Sequence, residues 1–356
     1  MFIIEARNSV ERRLLIQRLA LAAHSGEPHP YIHLPVADIK SIVQLSQLAE
    51  ALEALPSETE LVPVRLAWKI PGFKSTKMVK LRHFLLGDPR QPGAIRSRLI
   101  LLRDATRAQV LQGKSATIAS LRQRYGQQQV AETVAANGFA SFVARQAGLA
   151  LDVQERGFQG SRYKVPRYVG EALRSDPRFL RELETLSGQS GDAVAALLDK
   201  SKTYMQELIA RPSPLFIDLR MRMDQSTFSR GFDEDVRYRE GSIDQLRAIM
   251  RDYPTLLLFT HKTYMDGATP SKMLYDHDLP MAHVFGGINM ALPVLGAFLR
   301  RTGMIFIRRS FSENLLYKAV LRHYIGYLLA KRFPMTWSFE GTRSRLGKLM
   351  PPRYGL

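Results

Sequence analysis

Between Thr255 and Phe339 the chain alternates short apolar runs with helical segments, and this rhythm limits the possible folds more than any other feature. Thr255–Thr260, Met281–Phe285, Met304–Ile307 and Met335–Phe339 have strand length. Thr269 caps a helix that Pro270 starts, and Pro293 starts another through Arg301. Glu313–Lys331 carries Leu316, Ala319, Val320, Tyr324, Tyr327 and Leu328 at helical spacing. Strands alternating with helices predict an α/β domain with a mostly parallel sheet. In such sheets ligand sites form at the carboxyl ends of the strands.

The preceding sequence reads as mainly helical. Residues 8–23 and Val36–Leu55 show helical apolar spacing, and Glu60–Ile70 reads as a strand ended by Pro71-Gly72. Residues 105–215 read as helices broken near Gly126, Gly157-Gly160, Pro166 and Gly188-Gly191. Pro212-Ser213-Pro214 punctuates the chain, so the expected division is a helical amino-terminal region, 1–215, and an α/β domain, 216–356. Ser242 with Gln245 predicts a capping box for a helix through Met250. Gly113-Lys114-Ser115 fails as a phosphate loop, because Ala108 stands where the first glycine belongs and no strand is expected before it. Gly188–Asp192 fails as a nucleophile elbow, because Asp192 replaces its last glycine.

Charge and cysteine usage narrow the function. The chain has no cysteine, which excludes disulfides, thiolate zinc sites and a cysteine nucleophile and suits a reducing compartment. A formal charge of +18 calls for an anionic partner: nucleic acid, an acidic membrane face or phosphorylated substrates. The basic stretch Phe73–Arg103, with leucines and Phe84 among its cations, reads either as a solvated face or as a surface lying on anionic lipid. Charges at Glu5, Arg7, Glu11, Arg12 and Arg13 argue against a signal peptide. Arg300 and Arg301 break the nearest candidate for a membrane span, Met290–Ile307.

Each apolar run is followed by polar residues with chemical potential. His261 follows the first, with Asp266 five residues on. A loop of that length can return the carboxylate to the imidazole, fixing its tautomer so that the other ring nitrogen takes a proton from a substrate hydroxyl. His-x-x-x-x-Asp alone is a common pattern, and an aspartate capping a helix near a surface histidine gives the same sequence. Gly286-Gly287-Ile288-Asn289 permits close backbone approach, or is a plain turn. Arg308 and Arg309 end the third strand, where alternation lets at most one face a given ligand, and arginine suits phosphate. Glu340, Gly341, Thr342, Arg343, Ser344 and Arg345 combine a carboxylate, hydroxyls and two arginines that can hold a polar acceptor, or form an ordinary charged loop. His277, His283 and His323 show no ligand spacing and read as structural.

In this order the segments closely resemble the four motifs of the bacterial membrane-associated glycerol-3-phosphate acyltransferases: His261–Asp266; Gly286–Asn289; Phe306–Phe311; and Phe339–Arg345 followed by Gly347-Lys348 and Pro351. The resemblance implies transfer of an acyl group from acyl-CoA or acyl carrier protein to the sn-1 hydroxyl of glycerol 3-phosphate, giving lysophosphatidic acid. It makes His261 the base, Asp266 its partner, and Arg309, Glu340, Arg343 and Ser344 ligands of the glycerol phosphate. It implies no metal and no cofactor beyond the acyl donor, and a peripheral place on the cytoplasmic face of the inner membrane, against anionic lipid. Gly267-Ala268-Thr269-Pro270 departs from the family pattern, and the resemblance implies further elements beyond Leu356. A dihydroxyacetone-phosphate acyltransferase is the alternative within the class. Phe339, where lysophosphatidate acyltransferases usually have proline, disfavours that third acceptor. A basic nucleic-acid-binding protein lacks a reader motif here, so no nucleic acid is expected. A non-catalytic membrane adaptor gives no reason for four ordered motifs.

Overall fold

The computed structural model describes residues 1–22, 30–35, 41–70, 87–128, 138–232, 237–263, 265–308, 310 and 313–353. They fall into two compact units, 1–159 and 160–356.

In the first unit a sheet runs between helices. Strands β1 (Phe2–Glu5), β2 (Tyr31–His33), β3 (Glu60–Trp68) and β4 (Ala108–Gln112) lie in the order β2-β1-β3-β4, and β5 (Ala116–Thr117) pairs with β3. β1 is parallel to β2 and β3, while β4 and β5 are antiparallel to β3. Helices α1 (Ser9–Ala22), α2 (Ser41–Glu53), α3 (Ala94–Arg103), α4 (Ile118–Gln128) and α5 (Gly138–Gln159) complete the unit. Strand alternation divides the core. Ile3 packs with Phe142, Val143 and Leu151 of α5, whereas Ile4, Val64, Leu66 and Trp68 pack with Leu15 and Leu19 of α1. Arg65 is buried and donates to Glu5 at 3.1 Å, Asp152 at 2.7 Å and Glu155 at 2.6 Å. Burial works against its charge, but the three carboxylates outweigh that and hold the guanidinium protonated.

The second unit contains α6 (Val169–Arg174), α7 (Pro177–Ser190), α8 (Val194–Leu208), α9 (Pro214–Gly231), α10 (Ser242–Asp252), α11 (Ala268–Asp276), α12 (Pro293–Arg300) and α13 (Leu315–Ala330). Its strands are β6 (Leu256–Phe259), β7 (His283–Gly287), β8 (Met304–Ile307) and β9 (Met335–Ser338). They form a wholly parallel sheet in the order β6-β9-β7-β8, so the last strand inserts between the first two. On one face Ile305 and Met335 pack with Leu316, Val320, Tyr324 and Leu328 of α13, which meets Phe179 and Leu183 of α7 and Leu197 and Met205 of α8. On the other, Val284, Met304 and Phe306 pack with Ile288 and Leu299. This packing joins α6, α7 and α8 to the sheet, within the compact unit that begins at Gly160.

Local chemistry explains the smaller differences. Gly241 occupies the cap of α10 in a left-handed conformation, and the Ser242 hydroxyl donates to Arg239 O, so the expected capping box is not formed. α11 begins at Ala268 with Gly267 as its cap, earlier than Thr269-Pro270 suggested. Asn314 caps α13 by accepting from Tyr317 N at 2.9 Å. Buried Asp218 of α9 accepts from Tyr163 Oη at 2.7 Å and from Tyr275 Oη of α11 at 2.8 Å, fixing α11 against α9.

His277 meets Tyr238 Oη at 2.8 Å and His323 meets Glu182 at 2.9 Å. His283 opens β7 with its ring buried against Phe333, and neither ring nitrogen has a hydrogen-bond partner among the described residues. Desolvation pushes its pKa down to about 4. The unfolded chain therefore binds a proton below pH of about 6.5 that the fold refuses until about 4, and stability falls as pH falls through that window. Between pH 7 and about 4.5 the wild type should lose about 2–3 kcal/mol more unfolding free energy than His283→Leu, measured by denaturant titration at both pH values. Equal losses in the two proteins would show that His283 does not govern the acid response.

Candidate active site

The site is built at the carboxyl ends of β6 to β9. Beyond Phe259 the chain turns on Asp266, whose Oδ2 accepts the backbone N–H groups of Lys262 and Thr263, the latter at 2.6 Å. Oδ1 accepts the Thr263 hydroxyl at 2.9 Å. The same Oδ2 faces His261 Nδ1 at 3.7 Å. Burial disfavours the Asp266 charge, but the N–H groups of Thr263 and Lys262, the Thr263 hydroxyl and His261 outweigh it and hold the carboxyl below its usual range. Nδ1 is buried with no hydrogen-bond partner among the described residues, and the ring stands edge-on to Phe259. An N–H at Nδ1 directed at an ionised carboxylate leaves Nε2 as the basic nitrogen. Asp266 thus shapes the turn and faces the histidine, and it is Gly267 that caps the helix after it.

Glu340 has a different place from the one expected of an acceptor ligand. It is fully buried, with one carboxylate oxygen accepting His261 N at 2.5 Å and the other accepting Met350 N at 2.9 Å. Hydrogen bonds from those two N–H groups lower its pKa. Ser344 is also buried, and its N–H donates to His261 O at 2.7 Å. The fourth segment therefore grips the backbone of His261 on both sides. Gly341 has φ +69°, a left-handed conformation that favours glycine, and a Cβ there would lie 3.2 Å from Arg353 Cδ. Arg353 N donates to Phe339 O at 2.8 Å, docking residues 350–353 on this loop. Thr342 and Arg343 are exposed at the same edge.

The second segment is sterically tight. A Cβ on Gly286 would meet Met304 Sδ at 3.1 Å, and one on Gly287 would meet Asn289 Oδ1 at 2.5 Å. Asn289 is exposed, on the short 3₁₀ turn Ile288–Met290. In the third segment Arg308 is committed to a protein partner that the sequence did not reveal, donating through Nε and Nη2 to Glu207 of α8 at 2.7 and 2.5 Å. Arg309, expected to bind phosphate, lies outside the described residues, as do Tyr264, Phe311 and residues 71–86 of the basic stretch.

With this geometry in view, the comparisons with known proteins become specific. Residues 241–356, which hold all four strand-end segments, match the Acyltransferase family. A Mycobacterium tuberculosis protein named as acyltransferase plsB1 is 35% identical over 179 residues, half of this chain and 28% of that protein. A glycerol-3-phosphate acyltransferase of Pseudomonas putida is 37% identical over 114 residues, 32% of this chain and 14% of that protein. The chain thus spans well under half the length of these relatives.

If Glu340 is an internal bracket, Glu340→Gln leaves one N–H facing an amide donor instead of an acceptor. The variant should melt at a lower temperature and exchange its His261 and Met350 amide protons faster than wild type. Unchanged exchange at both amides would remove the bracket.

Proposed function

We propose that, in the intact protein, the second unit transfers a fatty acyl group from acyl-CoA or acyl carrier protein to the sn-1 hydroxyl of glycerol 3-phosphate, giving lysophosphatidic acid. The observation that carries this reading is the His261–Asp266 pair at the strand ends of an acyltransferase domain, with the polar segments after β7, β8 and β9 along the same edge. The name of the Pseudomonas relative supports the acceptor. In this reading Nε2 of His261 takes the proton of the acceptor hydroxyl as its oxygen attacks the thioester carbonyl carbon. The C–S bond then breaks, and the thiolate leaves and takes up the proton. Asp266, held ionised by its own turn, stabilises the imidazolium. Arg309 and Arg343 supply positive charge for the acceptor phosphate.

The test is acyl transfer by the intact protein to glycerol 3-phosphate, dihydroxyacetone phosphate and lysophosphatidate, with each donor. Glycerol 3-phosphate should be the preferred acceptor, and His261→Ala should lose about 10²–10⁴-fold in turnover while keeping its melting temperature. Turnover near wild type in the folded variant would rule out the base assignment, and preference for another acceptor would change the substrate.

An anionic membrane surface is part of the proposal, with the protein peripheral on the cytoplasmic face of the inner membrane. No helix among the described residues is long and apolar enough to cross a membrane. Helix α3, in the basic stretch, buries Ser97 and Ile100 but exposes Ile95, Leu99 and Leu102, at 78%, 51% and 84%. Their i, i+4, i+7 spacing makes one apolar stripe, with Arg98 and Arg103 also exposed on this helix. That pattern suits a helix lying in an anionic interface. Vesicles containing phosphatidylglycerol should bind the protein, high salt should release much of it, and serine at 95, 99 and 102 together should weaken binding. Binding indifferent to both lipid charge and the triple substitution would exclude α3 as the contact.

A further inference from the structure

Phe259 is the last residue of β6 and stands two residues before His261. Its ring lies 5.9 Å from the imidazole, centroid to centroid, with the two planes at 82°. That separation and angle are those of an edge-to-face aromatic pair. The same ring reaches the next helix: a Cβ built on Gly267, the cap of α11, would lie 3.6 Å from Phe259 Cζ. Phe259 is half-buried and belongs to neither of the apolar clusters described on the two faces of this sheet. It is therefore not spent on the core. It spans from the strand end to the helix cap, beside the imidazole.

Little else restrains that imidazole. The backbone of His261 is held on both sides, its N–H by Glu340 and its carbonyl by Ser344 N–H. Those bonds fix the main chain and leave the two side-chain torsions to be set by contacts of the ring. Asp266 does not set them alone, because its Oδ2 stands 3.7 Å from Nδ1, beyond a hydrogen bond, and is committed to the N–H groups of Lys262 and Thr263. No hydrogen bond reaches Nδ1 among the described residues. The ring contact with Phe259 restricts the plane of the imidazole. Within that plane the Asp266 charge selects the flip that turns Nδ1 toward the carboxylate, and it favours the proton on that nitrogen.

Resting on the acyltransferase reading, we propose that Phe259 is a positioning residue for the base: its ring sets the plane of the His261 imidazole, so that Nδ1–H faces Asp266 and Nε2 is left as the basic nitrogen. The role needs a flat ring and not merely apolar volume.

The experiment takes two readouts from the intact protein. One is the tautomer of neutral His261, from the ring nitrogen shifts of labelled histidine, assigned by their loss in His261→Gln. The other is steady-state kinetics with glycerol 3-phosphate and the acyl donor varied separately, with melting temperatures beside them. Wild type should show the Nδ1–H form. Phe259→Ala should shift His261 toward the Nε2–H form that free histidine favours. It should lower kcat about tenfold, near the upper end of what an aromatic pair contributes, and leave both KM values within about twofold. Phe259→Leu, which keeps apolar volume without the flat ring, should lose about threefold and carries both readouts if Phe259→Ala does not fold. Phe259→Tyr, which keeps the ring, should hold the wild-type tautomer and stay within about twofold of wild-type kcat. A wild-type tautomer in the folded Ala and Leu variants would overturn the proposal whatever happens to kcat. Equal kcat in Phe259→Leu and Phe259→Tyr would also overturn it, by reducing Phe259 to filler. A wild type that acylates no glycerol 3-phosphate would sink the proposed function instead. The tautomer readout needs no substrate, so the two failures are distinguishable.

Discussion

The Glu340 carboxylate is the interaction on which the strand-end edge of the second unit depends. It sits in the loop after β9 and takes the N–H of His261 in the loop after β6. The register explains why these residues meet. Phe259 pairs with Ser338 at the end of the two parallel strands, and continuing two residues along each brings His261 opposite Glu340. The Thr336 hydroxyl donates to Leu257 O at 2.7 Å, locking that register inside the sheet. Taking Met350 N as well, Glu340 satisfies otherwise unpaired backbone donors where the loops leave the sheet. A histidine at a strand end would otherwise ride on a mobile connection, and a side chain on such a connection is poorly positioned.

Strand order turns four separate sequence segments into one site. The connection from β6 to β7 skips a place, and β9 fills it. The fourth segment therefore lies between the first and the second, with the third beside the second at the far edge. A place where strand order departs from sequence order opens a crevice at the carboxyl ends, where ligands bind in sheets of this kind. The apolar runs made β6–β9 and most of their helices legible in the sequence. The insertion of β9 was not legible, because strand pairing is set by tertiary packing and leaves no mark on local periodicity.

The limits of the sequence reading have definite physical causes. β1, β2, β4 and β5 are too short for alternation to stand out from the surrounding helical signal. Arg65, polar in the middle of β3, is tolerated there because its carboxylate partners come from β1 and α5. Glu340 reads as a ligand in a polar loop, and a carboxylate buried against backbone N–H groups has the same one-letter signature. Arg308 has its partner 101 positions earlier in the chain, beyond any motif. His261 and Asp266 were legible because a five-residue spacing after a strand is local, and local geometry is what sequence patterns carry best.

Asp266 links that local geometry to chemistry. Its Oδ2 accepts two backbone N–H groups of the turn, so the carboxylate is oriented whether or not the histidine is charged. Its negative charge is maintained mainly by the N–H groups of Thr263 and Lys262 and by the Thr263 hydroxyl, with a smaller contribution from His261. When the imidazole takes a proton, the compensating charge already stands 3.7 Å from Nδ1, and the turn need not reorganise to supply it. That separation exceeds a hydrogen bond, so the pair contributes orientation and field rather than a tight proton contact. The turn that spends the carboxylate on backbone donors is also what keeps it charged beside His261, while the helix that follows is capped by Gly267.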